Sequence, residues 1–310
     1  MASQFMLAHR GDLGVLEDDR YVAEPKLDGT RCHIVKTPTG LEMWSRNSSE
    51  NTYRVNYAEL HNLPEVQHDA EELDCHSVWL DVELVWFNKY GRSIMLGSQV
   101  RCGTKRRSAV LEKMRIYPIN AMAFDILELN GEDLTKEPFV VRKAMLKGFL
   151  SQQKNLGSLR YLDYTFDKWN LWEHMLNMGG EGLMAKTLLG TYEFRRSRSW
   201  LKLKNERTAV KRVVGYTLGE GARAPYFGSL VLASEDGSYC GNVGGGFNTE
   251  ELEWWTEQLL AAPHIEKPFP CSEVRDKYVA VEVSFRVKVR YFEETSNGAL
   301  RFPIYVGIVK

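Results

Sequence analysis

Hydrophobic and polar residues follow two different periods over the first 200 positions. Short segments that are apolar or alternating, and bounded by polar or glycine-bearing turns, predict strands. These segments are 31–36, 41–45, 79–87, 119–127, 183–186 and 200–204. Residues 140–150 and 166–178 instead space their apolar side chains three and four apart, as amphipathic helices do. We therefore predict a first domain of mixed helix and strand.

The pattern changes after residue 205, where only strands separated by glycine-rich turns are predicted, at 213–218, 229–233 and 239–243. Residues 278–291 give the clearest alternation, with apolar side chains at odd positions and mostly charged ones at even positions. Because successive strand residues point to opposite sides, one face should be core and the other largely cationic. We predict domains at 1–206 and 207–310, an α+β domain followed by an all-β domain.

The composition is that of a globular protein without a membrane span. The chain has 310 residues, of which 44% are hydrophobic and 26% charged. It has no apolar run of about 18 residues and no secretory signal pattern at its start, so we expect an intracellular, cytoplasmic protein. The five cysteines are scattered without a Cys-x-x-Cys pair, which argues against a zinc site or a disulfide framework.

Charge is unevenly distributed although the net charge is only -1. Basic residues cluster at 105–107, 195–198 and 202–212, and acidic residues cluster at 69–74 and 250–257. A neutral total can therefore conceal a basic face of the kind that contacts a phosphate backbone. The candidate DNA contacts are Arg106, Arg107, Arg195, Arg196, Arg286, Lys288 and Arg290.

One segment, 24–31, carries the most specific chemistry. It places Lys26 between the carboxylates of Glu24 and Asp28, next to Gly29 and Arg31. A lysine attacks as the neutral amine, a form that neighbouring cations favour, so Lys26 is a candidate nucleophile. Taken alone, the segment fits a surface turn between two strands equally well.

Further motifs follow downstream in a fixed order. They are Ser45-Arg46, Asp81-Val82-Glu83, Phe124-Asp125, the stretch from Glu181 to Lys186, and the stretch from Trp200 to Lys204. Each is weak alone, but together they resemble the collinear motifs of the covalent nucleotidyltransferases, specifically the ATP-dependent DNA ligases. The resemblance continues through 219–221 and 243–252 and covers nearly the whole chain.

This resemblance implies an architecture and a reaction. The first domain would be a nucleotidyltransferase (ATP-grasp-like) adenylation domain and the second an oligonucleotide-binding (OB) fold. Lys26 would take AMP from ATP, AMP would pass to a 5'-phosphate at a nick, and the 3'-hydroxyl would displace it. The implied cofactors are ATP and Mg2+ or Mn2+, and the implied partner is nicked duplex DNA. We expect a monomer without a membrane partner.

The resemblance also assigns roles at the nucleotide. Glu24 would accept from the adenine amino group, since a carboxylate has only acceptors. Arg31 and Arg46 would contact the phosphate and ribose, where the guanidinium fork suits paired oxygens. Phe124 would stack on the base, although a lone aromatic in a strand is more often a core residue.

Four further residues complete the implied nucleotide site. Glu83 and Glu181 match acidic positions for the ribose and a divalent metal. Two carboxylates suit Mg2+, because it typically takes few protein ligands and keeps several waters. Lys202 and Lys204 lie two apart on a predicted strand, so both ammonium groups emerge on one face. They match the paired lysines that hold the α-phosphate, and we expect them to favour the neutral amine of Lys26.

The last motif departs from the family pattern. Residues 298–303 fit its opening, but 304–309 are uncharged where cations are expected, which makes self-adenylation less certain than the fold. Nothing before Glu24 is long enough to fold alone, so we expect no N-terminal DNA-clasping domain. Binding to a nick would then come from the two domains themselves.

Several alternatives stay open. An NAD-dependent ligase shares the lysine motif but carries zinc-type cysteines that this sequence lacks. A GTP-using mRNA-capping-type nucleotidyltransferase is disfavoured by Glu24, while an RNA ligase is harder to exclude. A noncatalytic nucleic-acid binder on a ligase scaffold is disfavoured by the intact site residues.

Overall fold

The computed structural model describes residues 5–45, 56–274, 277–291, 294–295 and 297–309, so Arg46 lies outside the described residues. The chain divides into two compact units, Met1–Asn205 and Glu206–Lys310. Among the described helices, none is both long and apolar enough to cross a lipid bilayer.

In the described part of the first unit, ten strands form two sheets. They are β1 (Leu7–Arg10), β2 (Tyr21–Pro25), β3 (Thr30–Thr37), β4 (Gly40–Ser45), β5 (Val78–Val85), β6 (Asn120–Leu129), β7 (Glu132–Asp133), β8 (Leu159–Tyr161), β9 (Gly182–Thr187) and β10 (Arg196–Lys204). One sheet has the order β1-β10-β9-β2, and the other has the order β4-β3-β5-β6-β7 with β8 paired to β6. All six strands predicted in this region are confirmed.

Helices cover the sheets of the first unit. They are α1 (Tyr57–Leu60), α2 (Pro64–Glu71), α3 (Met95–Gly103), α4 (Arg107–Ile116), α5 (Phe139–Gln152) and α6 (Lys168–Asn177). The predicted helices at 140–150 and 166–178 correspond to α5 and α6. The other four helices are not predicted from the sequence. In α3 two glycines weaken the helical signal, and in α4 basic residues interrupt the apolar stripe.

Strand β9 shows how the sequence pattern builds the site. Its odd positions, Leu183 and Ala185, are buried in a core with Val15, Trp172 and Met175. Its even positions, Gly182, Met184 and Lys186, therefore point to the opposite side. Met184 is paired with Glu24 on β2 and with Lys202 on β10, so three strands place these side chains in one row.

The second unit is a six-stranded β structure with the order β13-β12-β11-β15-β16 and β14 paired to β11. Its elements are β11 (Arg207–Leu218), β12 (Phe227–Ala233), β13 (Tyr239–Val243), α7 (Thr249–Ala261), α8 (Cys271–Val274), β14 (Tyr278–Ala280), β15 (Arg286–Tyr291) and β16 (Ile304–Val309). A bridge between Gly245 and Ile304 links its two ends. Helix α7 begins with a capping box between Asn248 and Glu251 and buries Trp255 against the strands.

The prediction of one continuous strand at 278–291 is wrong in one respect. The structure interrupts it between Ala280 and Arg286, giving β14 and β15. At β14 the even positions Tyr278 and Ala280 are buried with Phe269, while Val279, which was predicted to face the core, is only partly buried. Over β15 the prediction is confirmed, because Val287 and Val289 are buried while Lys288 is exposed.

Candidate active site

A cavity of about 480 Å³ opens on the row of side chains shared by β2, β9 and β10. Eight of the nine residues predicted for catalysis, nucleotide or metal binding line it: Glu24, Lys26, Arg31, Glu83, Phe124, Glu181, Lys202 and Lys204. The ninth, Arg46, is outside the described residues. Side chains separated by up to 180 positions in the sequence therefore lie around one space within the first unit.

A carboxylate bridges two lysines that line the cavity. Lys26 Nζ donates to Glu181 Oε2 at 2.6 Å, and Lys204 Nζ lies 3.3 Å from Glu181 Oε1. The backbone N–H of Lys26 donates to the Gly182 carbonyl at 2.9 Å, which fixes the start of the side chain against β9. From the sequence, Glu181 is predicted to lie near the ribose and a divalent metal, and its direct contact with Lys26 is not predicted.

The loop after Lys26 is held from two sides. Asp28 accepts from the N–H of Met95, the first residue of α3, at 3.3 Å, and its own N–H donates to Ser93 Oγ at 2.9 Å. A Cβ on Gly29 would lie 2.4 Å from the Leu84 carbonyl oxygen, closer than real Cβ atoms approach. This loop therefore requires glycine there and a carboxylate one position earlier.

Glu24 also lines the cavity and is buried between two lysines. Its Oε1 accepts from Lys143 Nζ at 2.8 Å, and its Oε2 lies 2.6 Å from Lys186 Nζ. The sequence analysis did not assign a role to either lysine. Lys186 was visible as the last residue of the Glu181 motif, but Lys143 comes from α5, 119 positions after Glu24, and no local pattern connects them.

Arg31 is anchored by protein groups rather than left open to the cavity. Its guanidinium donates to Asp81 at 2.9 and 2.5 Å, to the Met6 carbonyl at 2.6 Å and to Tyr192 Oη at 3.2 Å. Burial acts to raise the pKa of Asp81, but Arg31 and His33 together hold it below its usual value. Asp81 therefore orients Arg31, a role that the sequence analysis missed.

Phe124 lines the cavity beside Lys186 and is largely buried. Its ring packs against Trp200 with centroids 6.0 Å apart, and Lys186 and Arg31 lie 4.4 and 5.3 Å from its centroid. The ring thus belongs to a core cluster and also lines the cavity. Stacking of a base on Phe124 stays a prediction.

Glu83 is another carboxylate that lines the cavity. Burial raises the pKa of Glu83 to about 8, although Lys26 and Arg31 act to lower it. Within the described residues its carboxylate has no hydrogen bond or ion pair, and no group of three metal-ligating side chains occurs. A divalent ion would therefore have Glu83 and Glu181 available and would fill its other positions with water or phosphate oxygens, as Mg2+ does.

We expect the substitution Glu83→Gln to stabilise the metal-free protein in alkaline buffer. Because the folded pKa lies above the ordinary 4.5, ionising Glu83 costs stability that accumulates as pH rises from about 4.5 to 8. Gln cannot ionise, so its advantage should be near zero at pH 5 and about 2 kcal/mol at pH 9, after allowing for partial exposure. That corresponds to roughly 4–8 °C in Tm, measured by thermal unfolding with EDTA.

The matched control is Glu112→Gln on the exposed face of α4, which should change Tm by less than about 1 °C at both pH values. A Tm gain for Glu83→Gln that is equal at pH 5 and pH 9 would contradict the argument, because a packing effect does not follow this titration.

The predicted DNA contacts have different surroundings. In the first unit, Arg106 and Arg107 are exposed at the start of α4, and Arg195 forms an ion pair with Glu193. Arg196 lines the cavity and donates to the Ala8 carbonyl.

In the second unit, Lys288 is exposed on β15. Arg286 pairs with Glu235 at 2.8 Å, and Arg290 pairs with Glu206 at 2.7 Å. Each of these two arginines therefore already has a carboxylate partner within the second unit. Their role in DNA binding stays a prediction.

The class of protein follows from comparison with known families. Residues 5–204 match the model of the ATP dependent DNA ligase domain, and residues 223–309 match the ATP dependent DNA ligase C terminal region. The chain therefore belongs to the ATP-dependent DNA ligase family.

Its curated relatives are longer proteins. A DNA ligase of Thermococcus fumicolans is 30% identical over 301 residues, which cover 92% of this chain and 51% of the relative. The multifunctional non-homologous end joining protein LigD of Mycolicibacterium smegmatis is 30% identical over 98% of this chain and 38% of its own length. The chain spans about half the length of most of the curated relatives it matches.

Solved structures agree on the fold. The ligase domain of LigD from M. tuberculosis has a TM-score of 0.55 at 24% identity, covering 99% of this chain and 94% of that domain. A Lig E DNA ligase, described as binding DNA with a minimal scaffold, has a TM-score of 0.65 at 19% identity. The match covers 100% of this chain and 100% of that ligase. The fold is a nucleotidyltransferase domain followed by an OB-fold domain.

Proposed function

We propose that this protein is an ATP-dependent polynucleotide ligase that seals nicks in duplex DNA through lysyl-AMP and DNA-adenylate intermediates. The observation that carries the proposal is the Lys26–Glu181–Lys204 arrangement on the wall of a cavity that Glu24 also lines. A nucleophile, a second cation and a buried acceptor thus face one cavity. Family membership supports the same reaction.

In the first step Lys26 Nζ would form a bond to the α-phosphorus of ATP while the bond to the pyrophosphate oxygen breaks. The ammonium must first lose a proton, and Glu181 Oε2 at 2.6 Å lies where it can accept one. Lys202 and Lys204 line the same cavity and would stabilise the negative charge on the transferring phosphate. In the later steps, AMP passes to the 5'-phosphate of a nick and the 3'-hydroxyl displaces it.

Glu83 and Glu181 would hold Mg2+ or Mn2+ in the cavity that Lys26 also lines. A bound divalent cation would supply positive charge at the phosphate oxygens. The isolated, partly buried carboxylate of Glu83 fits this role, because a cation would compensate the cost of keeping it ionised. The chain's own residues would position the nucleotide and move the proton.

The proposal is tested by incubating the protein with α-labelled ATP and Mg2+. We expect a covalent label on Lys26 that is removed by added pyrophosphate, identified by mass spectrometry of the labelled peptide. Adding nicked duplex DNA should then discharge the label and join the strands. A matched duplex with the nick in an RNA strand separates a DNA ligase from an RNA ligase, and labelled GTP separates it from a capping-type enzyme.

Absence of an adenylyl group on Lys26 would overturn the proposal. Equal or faster sealing of the RNA nick would overturn the choice of DNA as the substrate. Preferential labelling by GTP would place the protein with the capping-type enzymes.

A further inference from the structure

Glu181, the carboxylate that contacts Lys26, lies in a glycine-rich stretch of backbone. Positions 179, 180 and 182 are all glycines, and Gly179 and Gly182 have φ of +66° and +130°. Glycine leaves the backbone more conformations than any other residue, so the local sequence does little to fix Glu181. The position of its carboxylate, 2.6 Å from Lys26 Nζ, therefore depends on contacts with other parts of the first unit.

Three successive carbonyl groups of this stretch receive hydrogen bonds. The Gly182 carbonyl accepts from the N–H of Lys26 at 2.9 Å. The Glu181 carbonyl accepts from the N–H of Asn205, also at 2.9 Å. The Gly180 carbonyl accepts from the side-chain amide of Asn205, with Nδ2 at 3.2 Å. Of these three bonds only the last is donated by a side chain, so a substitution can remove it alone.

Asn205 comes directly after Lys204, whose Nζ lies 3.3 Å from Glu181 Oε1. Two adjacent residues at the end of β10 thus hold Glu181 at two points, Lys204 at the carboxylate and Asn205 at the backbone. An amide suits the second point, because its NH2 group donates to a carbonyl without adding a charge beside the ion pair.

We propose that Asn205 is a positioning residue for the first step, which holds the backbone of Glu181 so that the carboxylate meets Lys26 Nζ. This rests on the proposed function, because it takes Lys26 as the nucleophile and Glu181 as the acceptor of its proton. Asn205 does not line the cavity, so it acts through Glu181 and not on the nucleotide. A reacting group displaced by about 1 Å can lose about 100-fold in rate, so the loss of this hydrogen bond should be measurable.

The test compares wild type with Asn205→Ala and with Asn205→Leu, which keeps a branched side chain of similar size but has no donor. The measurements are the rate of label transfer from saturating α-labelled ATP to Lys26, per mole of folded protein, and the Kd for ATP from isothermal titration in EDTA. We expect both variants to transfer label about 10–100-fold more slowly and to bind ATP within about 2-fold of wild type.

A double-mutant cycle tests whether Asn205 acts through Glu181. Glu181→Asp shortens the side chain by one methylene, so its carboxylate cannot meet Lys26 in the same geometry, and label transfer should be slow but measurable over hours. Adding Asn205→Ala to this variant should lower the rate by less than about 3-fold, because the contact that Asn205 supports is already lost.

The matched control is Asn62→Ala. Asn62 is a buried asparagine whose Nδ2 donates to the Cys102 carbonyl at 2.7 Å, and it does not line the cavity. Its loss should lower Tm, since an unpaired buried carbonyl costs about 1–3 kcal/mol, but should leave the transfer rate per mole of folded protein unchanged. This variant separates a loss of stability from a loss of positioning.

The inference is overturned if Asn205→Ala or Asn205→Leu transfers label within about 2-fold of the wild-type rate. It is also overturned if the slower transfer is matched by an equal loss of ATP affinity, or if Asn205→Ala costs the same factor in the Glu181→Asp background as in wild type. Failure of the ligase proposal is a separate result, because wild type would then take up no label on Lys26.

Discussion

Lys26→Arg is expected to abolish formation of the lysyl-adenylate, by at least about 10⁴-fold, while leaving the protein folded. Arginine keeps a positive charge opposite Glu181, so the ion pair at 2.6 Å can be replaced by an equivalent one. Its guanidinium does not lose a proton at neutral pH and so cannot act as the attacking amine. The measurement is transfer of label from α-labelled ATP to protein.

The same variant separates the steps of the reaction. Sealing of a nick that already carries AMP on its 5'-phosphate does not need the Lys26 amine as a nucleophile, so this activity should persist. Lys147→Arg, an exposed position on α5, should behave as wild type in both assays. Detectable label on the Lys26→Arg protein would show that another residue carries the AMP.

Gly182→Ala is expected to lower the free energy of unfolding more than any other substitution considered for this protein. Gly182 has φ +130°, and a Cβ there would lie 2.0 Å from the Leu203 carbonyl oxygen on the adjacent strand. Backbone strain of about 1–3 kcal/mol adds to the clash, so we expect a loss above about 3 kcal/mol. Tm should fall by roughly 10 °C in thermal unfolding, or the protein should fail to accumulate in soluble form.

Gly148→Ala provides the matched comparison. Gly148 lies inside α5, and a Cβ there would meet no atom within 4 Å. Alanine is the better helix former, so this variant should gain up to about 1 kcal/mol. Equal Tm values for the two alanine variants would contradict the argument that Gly182 is required by the approach of β10.

The sequence predicted the parts of the fold that depend on local patterns. Strands β3, β5 and β9 have apolar periodicity along their own length, and α5 has a helical stripe, so each could be predicted from about ten residues. Helix α4 could not, because it begins with Arg106 and Arg107 and buries only Val110 of its residues. The interruption between β14 and β15 also has no local signal, since the apolar alternation runs through it unbroken.

The candidate site also has a part that local patterns predict and a part that they do not. Lys26, Glu181 and Lys204 lie in short motifs whose order along the chain made them predictable, and all three line one cavity. The contacts of Glu24 with Lys143, and of Arg31 with Asp81, join segments 119 and 50 positions apart. Such pairs depend on how helices and sheets pack, which a single sequence does not encode in any short pattern.

The alternation of β9 limits how this protein could be re-engineered. Leaving out or adding one residue between Gly182 and Lys186 would exchange the two faces, sending the Lys186 ammonium into the cluster of Leu183 and Trp172. A side chain that faces the cavity can therefore be shifted along this strand only by two residues at a time. The lining of the cavity should be altered by replacing side chains on β2 and β9, at constant chain length.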